Sequence, residues 1–185
     1  MTAGTDPFSV LVGTVISLRT RDAVTATVTE RVLKKAPDPK TMISVNTEDL
    51  AELLRPAGFF NRKARQLKLI SEIILNKHDG RVPHRREQLE MLPGVGGKTA
   101  AFVLSMGYGI PAICVDVHVH RISNRLGLVE TGTPEETEKE LMRLMPVDLW
   151  IPLNHVFVRF GQQICLPRRP ACTVCPLNDW CGYAS

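Results

Sequence analysis

The stretch Leu89 to Tyr108, LEMLPGVGGKTAAFVLSMGY, decides how this chain is read. Leu89 and Leu92 close a short helix, Pro93-Gly94-Val95-Gly96-Gly97 turn the chain, and Lys98 to Leu104 open a second helix. The pattern is a helix-hairpin-helix. Three glycines in four positions leave backbone N–H groups uncovered at a helix N-terminus, which suits a phosphate oxygen. Two other glycine motifs fail here. A P-loop needs glycine where Leu92 stands, and a dinucleotide fingerprint starting at Gly94 needs glycine where Thr99 stands. A lone PGVG is more often a plain turn between core helices, so the rest of the chain decides.

Around that stretch, 185 residues with 44% hydrophobic content are enough for one large domain or two small ones. A net charge of +4 suits a polyanionic partner without demanding one. Met1 to Pro7 is short and polar, unlike a signal peptide, and no apolar run reaches the ~20 residues that span a bilayer. The expectation is a soluble cytoplasmic protein with no membrane partner.

Upstream of the hairpin, Phe8 to Leu18 is apolar and β-branched, so a strand competes locally, but a buried helix is the reading. Asp22 to Lys35 repeats Val24, Val28, Val32 and Leu33 at helical spacing, and Pro37 and Pro39 end it. Asn46 is expected to cap Thr47 to Leu54, and Asn61 to cap the following helix, whose stripe is Leu67, Ile70 and Ile74. Arg62, Lys63, Arg65 and Lys68 crowd its first two turns, a basic start that faces either solvent or phosphate. Downstream, Asp116 caps Val117 to Leu126, Thr133-Pro134-Glu135-Glu136 is a capping box for a helix to Leu144, and Trp150 to Gln163 is a last helix. The chain reads as all-α.

Four of the five cysteines close the chain as Cys165, Cys172, Cys175 and Cys181, spaced C-x6-C-x2-C-x5-C. In a chain without an export signal such clustering points to metal, either zinc or an iron–sulfur cluster, stapling a tail too short to order itself. Cys114 stands apart as a small buried hydrophobe. Arg168 and Arg169 lie between the first two ligands, where they suit phosphate contacts.

With LPGVGGKTA (Leu92 to Ala100), VDVHVHRISNR (Val115 to Arg125), PFSVLVGTVIS, GFFNRKA and the cysteine tail together, the sequence closely resembles the endonuclease III family of DNA glycosylases, in the helix-hairpin-helix superfamily. The resemblance covers essentially the whole chain. It implies two helical domains flanking a DNA-binding cleft, here residues 1–110 with the hairpin at 89–108, and residues 111–185 around a [4Fe-4S] cluster held by the four cysteines. Familiar members begin with a further helix packed on the cluster domain, and the resemblance starts at their second one. It also implies a monomer acting on double-stranded DNA that carries a damaged base or an abasic site, in the nucleoid of a prokaryotic-type cell.

By the same resemblance Lys98 is the nucleophile and Asp116 the essential carboxylate, removing oxidised pyrimidines and then cutting the strand. An amine attacks only when neutral, so Lys98 is expected in a desolvated place at its helix N-terminus. Gly94, Val95, Gly96 and Gly97 would hold the DNA backbone. The positions that fill the hole left by an extruded nucleotide match Arg19, Phe59 and His118, where the family commonly has glutamine at the first and often leucine at the second. Arg19 therefore predicts a preference for damage opposite guanine. Three rivals remain: a monofunctional glycosylase for thymine or uracil opposite guanine, a non-catalytic DNA-binding module, and an electron carrier.

Overall fold

The computed structural model describes residues 5–184, the side chain of Asp22 excepted. Every regular element among them is helical. The chain divides into two compact units, Met1–Ile110 and Pro111–Ser185. No helix among the described residues is long and apolar enough to cross a membrane.

In the first unit, α1 (Pro7–Ser17) is the central helix. Asp6 accepts from the Ser9 N–H at 2.8 Å and Pro7 occupies the first helical position, so a strong start overrides the strand preference of the β-branched residues. Phe8, Val10, Leu11, Val12, Val15 and Ile16 are buried, and α1 touches α2 (Asp22–Lys35), α5 (Phe60–Lys77) and α7 (Gly97–Phe102). Val28 and Val32 of α2 are buried as their spacing requires.

Two local expectations are corrected. The stretch after α2 is not a plain break but carries α3 (Pro39–Ser44), because Asp38 and Thr41 form a capping box and Pro39 sits where its missing N–H is of no consequence. Asn61 does not cap α5. The cap position is Phe59, in a left-handed conformation at φ 58°, and Asn61 lies inside the first turn. By contrast Asn46 does cap α4 (Thr47–Leu54), accepting from the Glu48 N–H at 2.9 Å. Buried Leu67, Ile70 and Ile74 set α5 against α3 and α4. The hairpin follows as α6 (Arg86–Glu90) and α7, which runs on into a buried π turn, Val103–Gly107.

In the second unit, α8 (Val117–Leu126) packs on α9 (Pro134–Leu144) and α10 (Trp150–Gln163). Ile113, Val115, Val119, Leu141 and Leu153 form its core. The capping box of α9 has the expected partners, Thr133 and Glu136. Cys114 is buried, and the cysteine tail is built from two 3-10 turns, Cys172–Val174 and Asn178–Trp180.

Candidate DNA-binding and catalytic site

The hairpin turn is held from behind. Gln66 on α5 donates from Nε2 to the Pro93 carbonyl at 2.8 Å, and Val95 is buried with its N–H bonded to the Leu92 carbonyl at 3.0 Å. Gly94 has φ 72°, a conformation that favours glycine, and a Cβ there would stand 2.4 Å from Gln66 Nε2, so the Gln66 side chain would have to move. Gly96 is different. A Cβ there would meet nothing within 4 Å, so nothing in the chain itself excludes a side chain at this cap position of α7. An open backbone at a helix start is suited to a close approach by an anion. Lys98 lies two residues on, in the first turn of α7, and is exposed.

Arg19 and Phe59 come together. Both are non-glycine residues in left-handed conformation, φ 54° and 58°, and the Arg19 guanidinium lies over the Phe59 ring at 5.7 Å from its centroid. Phe59 is 60% exposed, a conspicuous position for a large apolar ring. Gly58 allows the approach, since a Cβ there would stand 2.6 Å from the Arg19 carbonyl oxygen. Leu18, Arg19, Phe59, Arg62, Gln66 and Gly94 border one open hollow, so the pair and the hairpin turn share a face of this unit.

The basic start of α5 divides. Arg62 and Arg65 are exposed, but Lys63 is only 4% exposed. Its Nζ donates to the Ile16 carbonyl, the Leu18 carbonyl and Thr20 Oγ1, each at 2.7 Å. Burial lowers its pKa from the ordinary lysine value. Lys68 likewise donates to the Val45 carbonyl at 2.6 Å, at the end of α3. Two of the four charges thus satisfy helix C-termini, which a charge count could not reveal. One signal was available: the stripe of Leu67, Ile70 and Ile74, carried one turn back, passes through Lys63.

In the second unit Asp116 is the N-cap of α8 and half-buried, with Oδ1 accepting from the N–H groups of His118 and Val119, both at 2.9 Å. The cap uses Oδ1 alone, leaving Oδ2 outside it. His118 is pinned rather than loose: its Nδ1 pairs with Arg121 Nη2 at 3.1 Å, and a Cβ on Gly161 of α10 would fall 2.4 Å from that same nitrogen. Arg121 continues to the Cys165 carbonyl at 2.8 Å.

The four cysteines line one small cavity with Phe160, Ile164 and Ala171, while no three His, Cys, Asp or Glu side chains among the described residues converge as they would on a single ion. Four cysteine side chains around one space are a donor set that suits either zinc or an iron–sulfur cluster. Arg125 organises the approach. It donates to Cys165 Sγ at 3.4 Å, to the Leu166 carbonyl at 2.7 Å and to the Pro167 carbonyl at 3.0 Å, and it stacks on Tyr183 at 4.3 Å. These partners lie about forty residues along the chain, beyond any local pattern in the sequence. Arg168 and Arg169 are exposed on the loop so anchored, Arg169 at φ 55°.

The family of the chain follows from its relatives. The description "HhH-GPD superfamily base excision DNA repair protein" matches residues 12–147, and "Iron-sulfur binding domain of endonuclease III" matches residues 165–181. Endonuclease III of Thermotoga maritima is 47% identical over 97% of this chain and 84% of its own. A solved structure of a trapped endonuclease III–DNA covalent intermediate, an estranged-adenine complex, superposes with TM-score 0.90 at 37% identity, covering 97% of this chain and 85% of that one. A thermostable thymine-DNA glycosylase superposes with TM-score 0.88 at 26% identity, covering 97% and 84%. The tail match also assigns the thiolates a [4Fe-4S] cluster, which fits the cavity they line. With hairpin, capped aspartate and cysteine cavity arranged as described, the chain belongs to the endonuclease III family within the HhH-GPD superfamily of base excision DNA repair proteins.

Proposed function

We propose that this DNA glycosylase and abasic-site lyase removes oxidised pyrimidines from duplex DNA as a monomer, with Lys98 as nucleophile and Asp116 as the carboxylate that assists it. The observation that carries the proposal is the placement of Lys98: exposed, in the first turn of α7 and two residues beyond Gly96, where the helix start stands open. Gly94 to Gly97 hold phosphate through backbone N–H groups. An amine attacks only when neutral, and exclusion of water by bound DNA favours that form.

The Lys98 amine attacks C1′, the glycosidic bond breaks, and the base leaves with the bonding electrons and a proton. Asp116 stabilises the cationic sugar and relays protons through the oxygen its cap leaves over. Ring opening gives a Schiff base between Lys98 and the sugar. Loss of the C2′ proton then expels the 3′ phosphate, and water releases the lysine. The covalent intermediate trapped in the similar endonuclease III supports this path. When bound, the cluster supplies a rigid cross-link among four points of the tail, which lets Arg168 and Arg169 meet phosphate in a fixed geometry.

Extruding a nucleotide leaves a vacancy in the stack. Phe59 enters it by stacking, Arg19 reads the widowed base with a guanine preference, and His118, fixed through Nδ1, offers its other nitrogen to the strand. Arg19 also favours a second reading, excision of thymine opposite guanine, for which the likeness to a thymine-DNA glycosylase gives a scaffold. Duplexes carrying one thymine glycol or one thymine–guanine mismatch separate the readings. Strand cleavage at thymine glycol without added alkali is expected; mismatch excision that leaves the strand intact until alkali treatment would favour the second.

A further inference from the structure

We propose that Lys63 is the positioning residue for Arg19: it fixes the exit of α1 so that Arg19 already lies over Phe59 before DNA arrives. The proposal rests on the reading of Arg19 and Phe59 as the pair that fills the vacated stack. An ammonium has three N–H donors and no acceptor, and each Lys63 donor has an oxygen at 2.7 Å on the segment Ile16 to Thr20. That segment is where α1 ends, and it ends without a glycine. Leu18 turns the chain out at φ −57° and ψ 115°, and Arg19 then takes a left-handed conformation that an arginine adopts only when held. The carbonyls of Ile16 and Leu18, left over at the helix end, are the groups a buried cation satisfies best.

Lys63 also ties together the two sides of the pair. It sits one turn into α5 after Phe59, so its bonds join the element that starts at Phe59 to the loop that carries Arg19. Gly58, next to Phe59, leaves room for the Arg19 carbonyl, since a Cβ there would stand 2.6 Å from that oxygen. Without the ammonium, the loop relaxes from its left-handed turn, and Arg19 must be ordered afresh at each encounter with DNA. The loss then falls on discrimination between opposite bases, since the reader is no longer preorganised.

The test compares wild type, Lys63→Met, Arg19→Ala and the double variant. It measures single-turnover excision of thymine glycol opposite guanine and opposite adenine, together with hydrogen exchange of the Thr20 amide, which donates to the Ser17 carbonyl at 3.0 Å. Arg19→Ala is expected to lower the guanine-to-adenine ratio about tenfold. Lys63→Met should lower it comparably, speed Thr20 exchange, and add nothing in the double variant. A wild-type ratio or unchanged Thr20 exchange in Lys63→Met overturns the proposal while leaving Arg19 as reader. A wild-type ratio in Arg19→Ala overturns that reading, and the proposal with it. Should Lys63→Met fail to fold, Thr20→Val removes one of the three acceptors and leaves the core of α5 intact. It should move both readouts the same way by less, and no movement in either refutes the role.

Discussion

Replacing Gly94 by alanine tests how the hairpin turn is held. The new Cβ meets two penalties. One is conformational: at φ 72° a residue with a Cβ is disfavoured by roughly 1–2 kcal/mol. The other is steric: the Cβ would stand 2.4 Å from Gln66 Nε2, so that side chain must swing away and its bond to the Pro93 carbonyl breaks. A net hydrogen bond is worth about 0.5–1.5 kcal/mol, which brings the total to about 1.5–3.5 kcal/mol. In a Gln66→Ala background the clash and the bond are already gone, and only the conformational part, about 1–2 kcal/mol, remains. Urea denaturation of the four proteins in this cycle measures the difference, with the midpoint falling at unchanged slope. The expected coupling between the positions is about 1 kcal/mol. Equal losses from Gly94→Ala in both backgrounds, or no loss in either, would refute the account of the turn.

Three further outcomes follow from the same geometry. Asp116→Asn keeps a cap oxygen for α8 and should fold as wild type while excising at least a hundredfold more slowly, on the order of a lost general acid–base group; Asp116→Ala should in addition lose about 1 kcal/mol of stability with its cap. Arg125→Met removes the N–H to Cys165 and both carbonyl bonds, so the cluster's visible absorbance should decay faster in air than in wild type, with α9 and its capping box unaffected. Backbone N–H groups of Gly132 and Thr133 hold the exposed Glu136 carboxyl below its ordinary pKa of 4.5. A depressed carboxylate stabilises the fold above its unfolded pKa and ceases to as pH falls through the folded one, so Glu136→Gln should flatten the acid limb of the stability curve below about pH 4.5.

Much of this was legible in the residues. A periodic stripe anticipated α2, and polar caps anticipated α4, α8 and α9, because a cap and a stripe are local and leave a local pattern; α1 and α10 were legible only as apolar runs. Pro39 was misread for the same reason inverted: a proline stops one helix and starts the next, and only the Asp38–Thr41 box tells which. Asn61 carried a cap signal that lost to Phe59, which takes a left-handed turn next to Gly58, where a Cβ would collide with the carbonyl of Arg19, about forty positions away in the chain. The same distance hid Lys63 and Arg125. Their roles consist of bonds to carbonyls, which every residue carries and no sequence marks.

The central claim is that Lys98 becomes covalently joined to DNA. Borohydride reduces a Schiff base to a permanent amine link, so the measurement is trapping on a duplex with one thymine glycol, comparing wild type with Lys98→Ala. The account predicts a cross-linked product with wild type, its linkage mapped to Lys98, and none with the variant. No cross-link on this duplex or on one with a plain abasic site, or an equal yield from Lys98→Ala, would contradict it.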